Sequence, residues 1–598
     1  MKNLFLSLLF FTSFFTANAQ MSISLPLERS VFQRNANGQA SVAIAGQVRP
    51  GSPIGANFVI KYRTTSLDKN GNPLAAATIW NSGLASTPYA GVFKFSATFN
   101  TGWYLLEVGA FEGNNNFPTT SGAVKFGVGE VVFIAGQSNA QGTDGIVNST
   151  VNPVFYDCVN SISNNQICKN TYQFPYIEKI VDGKLITPSG NRSAWFYGHL
   201  GKRIADELIP GTVVPTLFFN AAFTGSSVEN WAATALDETA TVKLPLLDGN
   251  ICCANIFDWN SEGAAGQPYK SLKNSLTYFG SMFGARCVLW HQGESDNVLN
   301  TSESTYDSKL QIVLNKSREH FSNNLSWAIS RATWYYGTVD PIVIAGQQKT
   351  RAYQGILQQG SSAAAIWNSD IIPASKRRAD DNTHFIAPGL VEAGNQAFEA
   401  FKTGFGFTPI KNMTSVPATT APSFTITKSG ANVTIKAPAG YTYKWVGGDN
   451  HITTAFSSAQ SITVSNSNWK SYRCYIISPT RTMVSQAVYT PMLAVGGAAR
   501  MGAEEEALIE NEEFASVRIT PNPAKGKTIV RYILREPSLV RIDLVDFSGR
   551  ILFSSDENAC PAGNQAQTLD LSKFTSGSYI CRIKIGSYFV SKLLALEN

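Results

Sequence analysis

Ser138, Asp381 and His384 are the residues from which this chain could assemble a reaction. Residues 131–134 read VVFI, an unbroken apolar run rich in β-branched residues, the pattern of a strand buried on both faces. The run ends in Ala135-Gly136, and Gln137-Ser138-Asn139 follow. Ser138 thus stands just past a buried strand, where open α/β sheets place their ligands. Many turn serines only satisfy backbone groups. What singles this one out is the set of residues at the ends of later strands.

Asp381-Asn382-Thr383-His384 sets a carboxylate three residues before a histidine. That spacing lets the carboxylate accept the ring N–H, fixing the tautomer and freeing the other nitrogen as a base. Asn139 reads as a loop-holding residue. Gly225 lies in Thr224-Gly225-Ser226-Ser227, where a glycine lets the backbone approach a ligand closely. Gln292, in Trp290-His291-Gln292-Gly293-Glu294, offers a side-chain amide. The expected chemistry is acyl transfer. His384 takes the Ser138 proton as the hydroxyl attacks an ester carbonyl, and Asp381 steadies the charged ring. The N–H groups of Ser138 and Gly225, with the Gln292 amide, hold the oxyanion. His291 is the rival base, but no carboxylate orients it locally. Trp231 and Glu294 are candidate substrate contacts. Trp195 and Trp290 could also line a sugar site, with core packing the alternative, and Glu294 could instead order the oxyanion loop.

These residues need a parallel sheet to position them. From 128 to 405 strands and helices alternate, the signature of an α/β fold with helices on both faces. Strands are expected at Thr216–Phe219, Cys287–Trp290, Ile342–Ala345 and Ala363–Trp367. Helices are expected at Phe196–Leu208, Tyr269–Phe283, Ser304–His320, Ala352–Gln359 and Gly389–Phe401. Alternating strands between 20 and 127 predict an N-terminal β-sandwich. Residues 406–422, rich in Pro and Thr, read as a linker. Residues 423–491 read as an immunoglobulin-like β domain, with Trp445 and Cys474 in its core. Residues 492–513 carry six glutamates between Glu504 and Glu513 and read as an acidic linker. Residues 514–598 form a last β module.

Met1 to Ala19 reads as a secretory signal peptide: Lys2, an apolar stretch from Leu4 to Phe15, then Ala17-Asn18-Ala19. No other stretch is long enough for a membrane helix. With 598 residues, 44% hydrophobic, 15% charged and a formal charge of +6, the chain is globular and lacks a nucleic-acid footprint. Eight cysteines in an exported chain permit disulfides: Cys158 and Cys168 look like a local bridge, Cys560 and Cys581 could pair, and Cys252, Cys253, Cys287 and Cys474 are ambiguous. With no CxxC spacing and five scattered histidines, no metal site is expected.

GQSNAQG (136–142), TGSSVENW (224–231), WHQGESD (290–296) and DDNTH (380–384), in this order, resemble the SGNH (GDSL-like) hydrolases. Within them they are similar to the sialate O-acetylesterase and carbohydrate acetylesterase branch. The resemblance covers 128–405. It implies a three-layer α/β/α SGNH fold, a secreted serine esterase acting on O-acetylated glycans, and no cofactor. In that branch a Gln in a QGE block stands where others carry Asn, which is the position of Gln292. Alternatives are a lipase or thioesterase on the same scaffold and a non-catalytic glycan-binding surface protein. The tail, with PNPAKG (521–526), DFSGR (546–550), SGSY (576–579) and Lys592, resembles the type IX secretion sorting domain. That implies the secretion machinery as partner and passage through the periplasm and outer membrane of a Gram-negative bacterium. A small adhesion module is the alternative for this tail.

Overall fold

The structure is a computed structural model that describes residues 21–48, 58–84, 91–111, 119–142, 155–162, 175–181, 194–244, 265–357, 367–447, 455–467, 470–492, 517–534, 537–545, 551–561, 563–585 and 588–597. The expected signal peptide, Cys168, Cys252, Cys253, nearly all of the acidic linker and the DFSGR block lie outside them. So do residues 363–366 of the expected fifth strand. The chain divides into two units, residues 1–498 and 499–598.

The first unit opens with β1 (Met21–Leu25), β2 (Ser30–Gln33), β3 (Gln39–Val48), β4 (Val59–Leu67), β5 (Asn81–Leu84), β6 (Val92–Asn100), β7 (Gly102–Phe111), β8 (Thr119–Thr120) and β9 (Val124–Gly136). Strands β1, β3 and β6 form one antiparallel sheet. It faces β4 across a core in which the Tyr62 ring meets Phe95 and Phe99. Strand β9 belongs to two layers of pairing at once. Its first residues pair with β7, antiparallel, and with β2, parallel. Its last residues join the parallel sheet. The division expected at 127/128 therefore falls inside one unbroken strand. Gly127 and Gly129 sit in β9 with Pro215 against them: a Cβ on Gly129 would come within 2.0 Å of the Pro215 carbonyl oxygen.

Next come α1 (Ser138–Gln141), β10 (Val159–Ile162), β11 (Ile177–Lys179), α2 (Tyr197–Glu207), β12 (Thr216–Asn220), α3 (Val228–Leu236), α4 (Tyr269–Ser275) and, after one wide π turn, α5 (Ser281–Phe283). After these the chain forms β13 (Cys287–His291), α6 (Glu294–Val298), α7 (Glu303–His320), β14 (Trp327–Ile329), α8 (Pro341–Leu357) and α9 (Ala387–Lys402). The parallel strands stand in the order β10-β12-β9-β13-β14. The chain runs from β9 at the centre to the outer strand β10, returns to β12, and then adds β13 and β14 on the other side of β9. The carboxyl end of β9 is the switch point, where such sheets open a crevice.

Helices cover both faces, and β12 shows why, because successive residues of a strand point to opposite sides. Phe218 meets Tyr197 of α2, whereas Phe219 stacks on Phe279 and Phe283 of the α4–α5 run. At the amino end of the parallel half, Glu130 is fully buried and held by Arg34 and Arg286 at 2.7 and 2.6 Å.

Two expectations about this region are corrected. Ile342–Ala345 is helical, the start of α8. Asp340 caps it, accepting from the Ile342 N–H at 2.8 Å, and Pro341 opens its first turn. The parallel strand that follows β13 is instead β14, and beside it Arg331 bridges Asn368 in parallel. The stretch 406–422 is no free tether. Ile410, Met413 and Val416 are buried, Val416 bridges Ala285, and the Met413 carbonyl accepts from Arg286.

Residues 423–491 build two sheets. One holds β15 (Thr425–Ser429), β16 (Asn432–Lys436) and β18 (Ser461–Ser465); the other holds β17 (Thr442–Gly447), β19 (Lys470–Ile477), β20 (Thr482–Val484) and β21 (Val488–Thr490). Trp445 and Cys474 are buried register partners in the second sheet. The second unit is all strand: β22 (Arg518–Lys525), β23 (Lys527–Leu534), β24 (Ser538–Val545), β25 (Ile551–Ser554), β26 (Asn558–Cys560), β27 (Gly563–Asp570), β28 (Gly577–Ile585) and β29 (Tyr588–Leu596). The Cys560–Cys581 bridge is not formed, and both thiols are free. Cys560 pairs with Ser538 and Cys581 with Leu544, six residues apart along β24, a separation of about 20 Å at strand rise.

Candidate active site

At the carboxyl end of β9 the chain turns directly into α1, and Ser138 is its first residue. The turn requires Gly136, which has φ +137° and lies so close to β13 that a Cβ would fall 1.9 Å from the His291 carbonyl oxygen. The Gln137 N–H donates to that same oxygen at 3.0 Å, holding the serine loop against β13.

Ser138, His384 and Asp381 meet. His384 Nε2 is 2.8 Å from Ser138 Oγ, and His384 Nδ1 is 2.7 Å from Asp381 Oδ2. Asp381 also accepts the backbone N–H groups of Thr383 and His384 at 2.8 and 3.0 Å, so the loop is wound around its own carboxylate. Burial pushes the Asp381 carboxyl up, but the His384 ring and these N–H donors outweigh it and hold it below the usual carboxylate range. A charged Asp381 at Nδ1 leaves Nε2 bare to receive the serine proton.

Of the expected oxyanion donors, two are free. Among the described residues, the N–H groups of Ser138 and Gly225 donate to no protein acceptor. Gly225 has φ +68°, a conformation that glycine adopts without strain. Gln292 is a correction. Its amide nitrogen has two hydrogens and already faces three acceptors: Asp296 Oδ2 at 2.5 Å, Gln137 Oε1 at 3.1 Å and the Ser226 carbonyl at 3.2 Å. Its amide oxygen accepts from the Tyr306 hydroxyl at 2.9 Å. The residue is fully buried and locks three loops together, with no donor to spare.

The two expected substrate contacts are also corrected. Trp231 is fully buried, donates to Ser226 Oγ at 2.8 Å and lies edge-on to Trp290. Trp195 is buried too and holds the serine loop from below, donating to the Asn139 carbonyl at 2.8 Å. Glu294 is only 2% exposed and touches no open surface. Its Oε1 accepts from Asn139 Nδ2 at 3.0 Å, and the same Asn139 amide reaches the Thr383 carbonyl at 3.2 Å. Asn139 is therefore a clasp joining the serine loop, the Glu294 loop and the His384 loop. Its neighbour relations could not be read from spacing, because the three loops are far apart in the chain.

Burial pushes the Glu294 carboxyl up to about 8 and the His291 imidazole down to about 3. At neutral pH both are uncharged, so their 3.9 Å approach is no ion pair. His291 is buried, with Nε2 on Ser369 Oγ at 2.8 Å, and does not reach Ser138. Among the described residues no three of His, Cys, Asp and Glu gather into a metal-binding group.

Residues 219–403 match the family model described as carbohydrate esterase, sialic acid-specific acetylesterase. Residues 518–597 match the secretion system C-terminal sorting domain. The chain joins a carbohydrate-esterase domain to a secretion sorting tail. The first match includes Gly225, Gln292, Asp381 and His384; Ser138 lies before it. No curated protein matches the chain. Among solved structures, a carbohydrate acetylesterase from Xanthomonas citri is similar at 15% identity and a TM-score of 0.32, covering 79% of this chain and 98% of its own. A salicylyl-acyltransferase from a tetracycline biosynthetic pathway is similar at 10% identity and a TM-score of 0.24, covering 63% and 82%. Likenesses at these scores decide nothing about fold or function. The sorting tail marks the protein for export to the cell surface or the medium of a Gram-negative bacterium. No helix among the described residues is long and apolar enough to cross a membrane.

Proposed function

We propose that the protein is a secreted serine esterase that removes O-acetyl groups from glycans, with Ser138 as nucleophile, His384 as base and Asp381 as the group that orients it. The carrying observation is the unbroken chain of contacts from Asp381 through His384 to Ser138 at the sheet's switch point. The SGNH fold, with helices on both faces of the parallel sheet, is the architecture this reading takes.

In the forward step Ser138 Oγ bonds to the ester carbonyl carbon while its proton moves to His384 Nε2. The Ser138 and Gly225 N–H groups receive the developing oxyanion, each such donor lowering the barrier by about 3–4 kcal/mol. His384 then protonates the departing sugar oxygen, leaving an acetyl group on Ser138. Water, losing its proton to His384, releases acetate. Gln292 contributes by position: it ties Gln137, beside the nucleophile, to Ser226, beside Gly225.

The test is acetate release from O-acetylated sugars by the wild type and by Ser138→Ala. Release by the wild type alone supports the reading; equal release by both removes Ser138 as nucleophile. Comparing acetyl with octanoyl esters separates the acetylesterase from a lipase, and a preference for octanoyl would end the acetyl assignment.

A further inference from the structure

Beside the site stands an aromatic turn that acyl transfer at Ser138 does not use. Tyr335 N–H donates to the Thr338 carbonyl at 2.9 Å, and Thr338 N–H returns to the Tyr335 carbonyl at 3.0 Å. Two bonds fasten this turn to the loop that carries His384. Trp334 Nε1 donates to the Asn382 carbonyl at 2.8 Å, and Tyr336 N–H donates to Thr383 Oγ1 at 3.1 Å. Asp370 holds the turn from beneath, accepting from the Trp334 N–H at 2.9 Å. Trp334 and the Arg377 guanidinium 4.6 Å over its ring form the base.

The two tyrosines face outward. Tyr336 is 59% exposed, and its ring lies edge-on to Tyr335 with centroids 4.7 Å apart. Tyr335 is half-buried; burial, then the nearby Tyr336, then the Asp381 charge raise its hydroxyl pKa, which sets it within electrostatic reach of the site carboxylate. Tyr336 has φ +45°, and Asn382, across the joining bonds, has φ +43°. A bulky residue in the left-handed region is an outlier. Held there with most of its ring in water, it packs only against Tyr335 among the described aromatic rings. Val298 and Leu299 are exposed as well, and Asn297 before them donates to the Thr333 and Thr338 carbonyls.

An exposed ring pair on a turn held by two backbone hydrogen bonds suits a flat ligand with an apolar face and a polar edge. Pyranose rings have that character. We infer that the Trp334–Thr338 turn is a sugar-binding rim, in which Tyr336, backed by Tyr335, stacks on a pyranose of the glycan that carries the ester. This rests on the esterase reading of Ser138, His384 and Asp381.

The experiment measures kcat and KM of the wild type, Tyr336→Ala and Tyr336→Phe on acetylated xylo-oligosaccharides, O-acetylated sialyllactose, nitrophenyl acetate and nitrophenyl octanoate. Tyr336→Ala is expected to lower the ratio of kcat/KM for the better sugar ester to that for nitrophenyl acetate about tenfold, through KM, as loss of one stacking ring should. Tyr336→Phe, which keeps the ring, is expected to keep the wild-type ratio. An unchanged ratio in Tyr336→Ala overturns the rim. So does an equal fall in kcat on every ester, which would make the turn a mere prop for His384, or a loss confined to octanoate. A wild type active on nitrophenyl acetate but on neither sugar ester overturns both the glycan assignment and the rim. A wild type inactive on all four overturns the esterase reading alone; calorimetric binding of the two sugars to the wild type and Tyr336→Ala then decides the rim.

Discussion

Strand β9 meets buried carboxylates at both ends of its parallel half, and the two are treated in opposite ways. Where the strand joins the sheet, Glu130 has two guanidinium partners and a Gln33 contact, and none of these side chains has an orphaned buried atom. Burial pushes its carboxyl up, but Arg286 and Arg34 outweigh it and hold it below the usual range. Where the strand leaves, Glu294 has only the Asn139 amide, and burial wins. Around it Asn139 Oδ1, His291 Nδ1, Glu294 Oε2 and Ser295 Oγ have no partner among the described residues. One end is saturated and serves stability. The other leaves polar capacity unspent around Ser138, a state that costs free energy and that folds tolerate at sites of reaction.

If the ends divide their labour in this way, the largest effect belongs to the reactive end. Ser138→Ala should lower kcat/KM on acetyl esters by about 10⁴-fold or more, measured by acetate release, with the melting temperature unchanged. Glu130→Ala should do the reverse. Stranding two buried guanidinium groups should cost about 3–5 kcal/mol in urea unfolding. A large loss of activity in folded Glu130→Ala would break the division.

Asn139→Ala, which opens the clasp between the three loops, should cost about tenfold to a hundredfold in kcat with little change in KM, because it displaces the reacting pair without touching substrate. The smallest effect is expected from Glu294→Gln. The folded chain keeps the Glu294 proton up to about pH 8, while the unfolded chain releases it near the ordinary value of 4.5. Its contribution to stability is therefore full below that lower pH and falls as pH rises through the window to about 8. Glu294→Gln should flatten that fall in melting temperature between pH 5 and pH 8. Glu130, with a lowered pKa, should contribute above the ordinary carboxylate value and lose that contribution on acidification. Thermal melts across pH for Glu294→Gln and Glu130→Gln should thus change slope in opposite directions.

What could be read from the sequence was what is local. Asp381 and His384 lie within one loop, and Ser138 follows a strand whose apolar run is plain, so their meeting needed only the parallel sheet. Gln292 was misassigned because its amide is consumed by Asp296, Gln137 and Ser226, and only the second of these partnerships crosses to the nucleophile loop. Trp231 and Glu294 carry the residue types of a sugar site, but residue type does not report burial. IVIA at 342–345 fits a strand and a buried helix equally well as a four-residue run. The Asp340-Pro341 pair before it was the available sign of a helix start. The clasp through Asn139 and the aromatic turn at 334–338 had no signal in spacing, because both arise from loops that meet only in the fold.

The unbroken run of β9 also governs how this protein can be cut and recombined. Its amino-terminal residues are laced to β2 and β7, and its carboxyl-terminal residue, Gly136, is the hinge before Ser138. A junction at 127/128 would sever that ladder midway, and deleting one residue upstream of Glu130 would draw Ser138 back by about 3.3 Å or flip the strand's faces. The module in front therefore acts as a ruler for the position of Ser138, and swapping it for another module would require the replacement to continue the same strand in the same register.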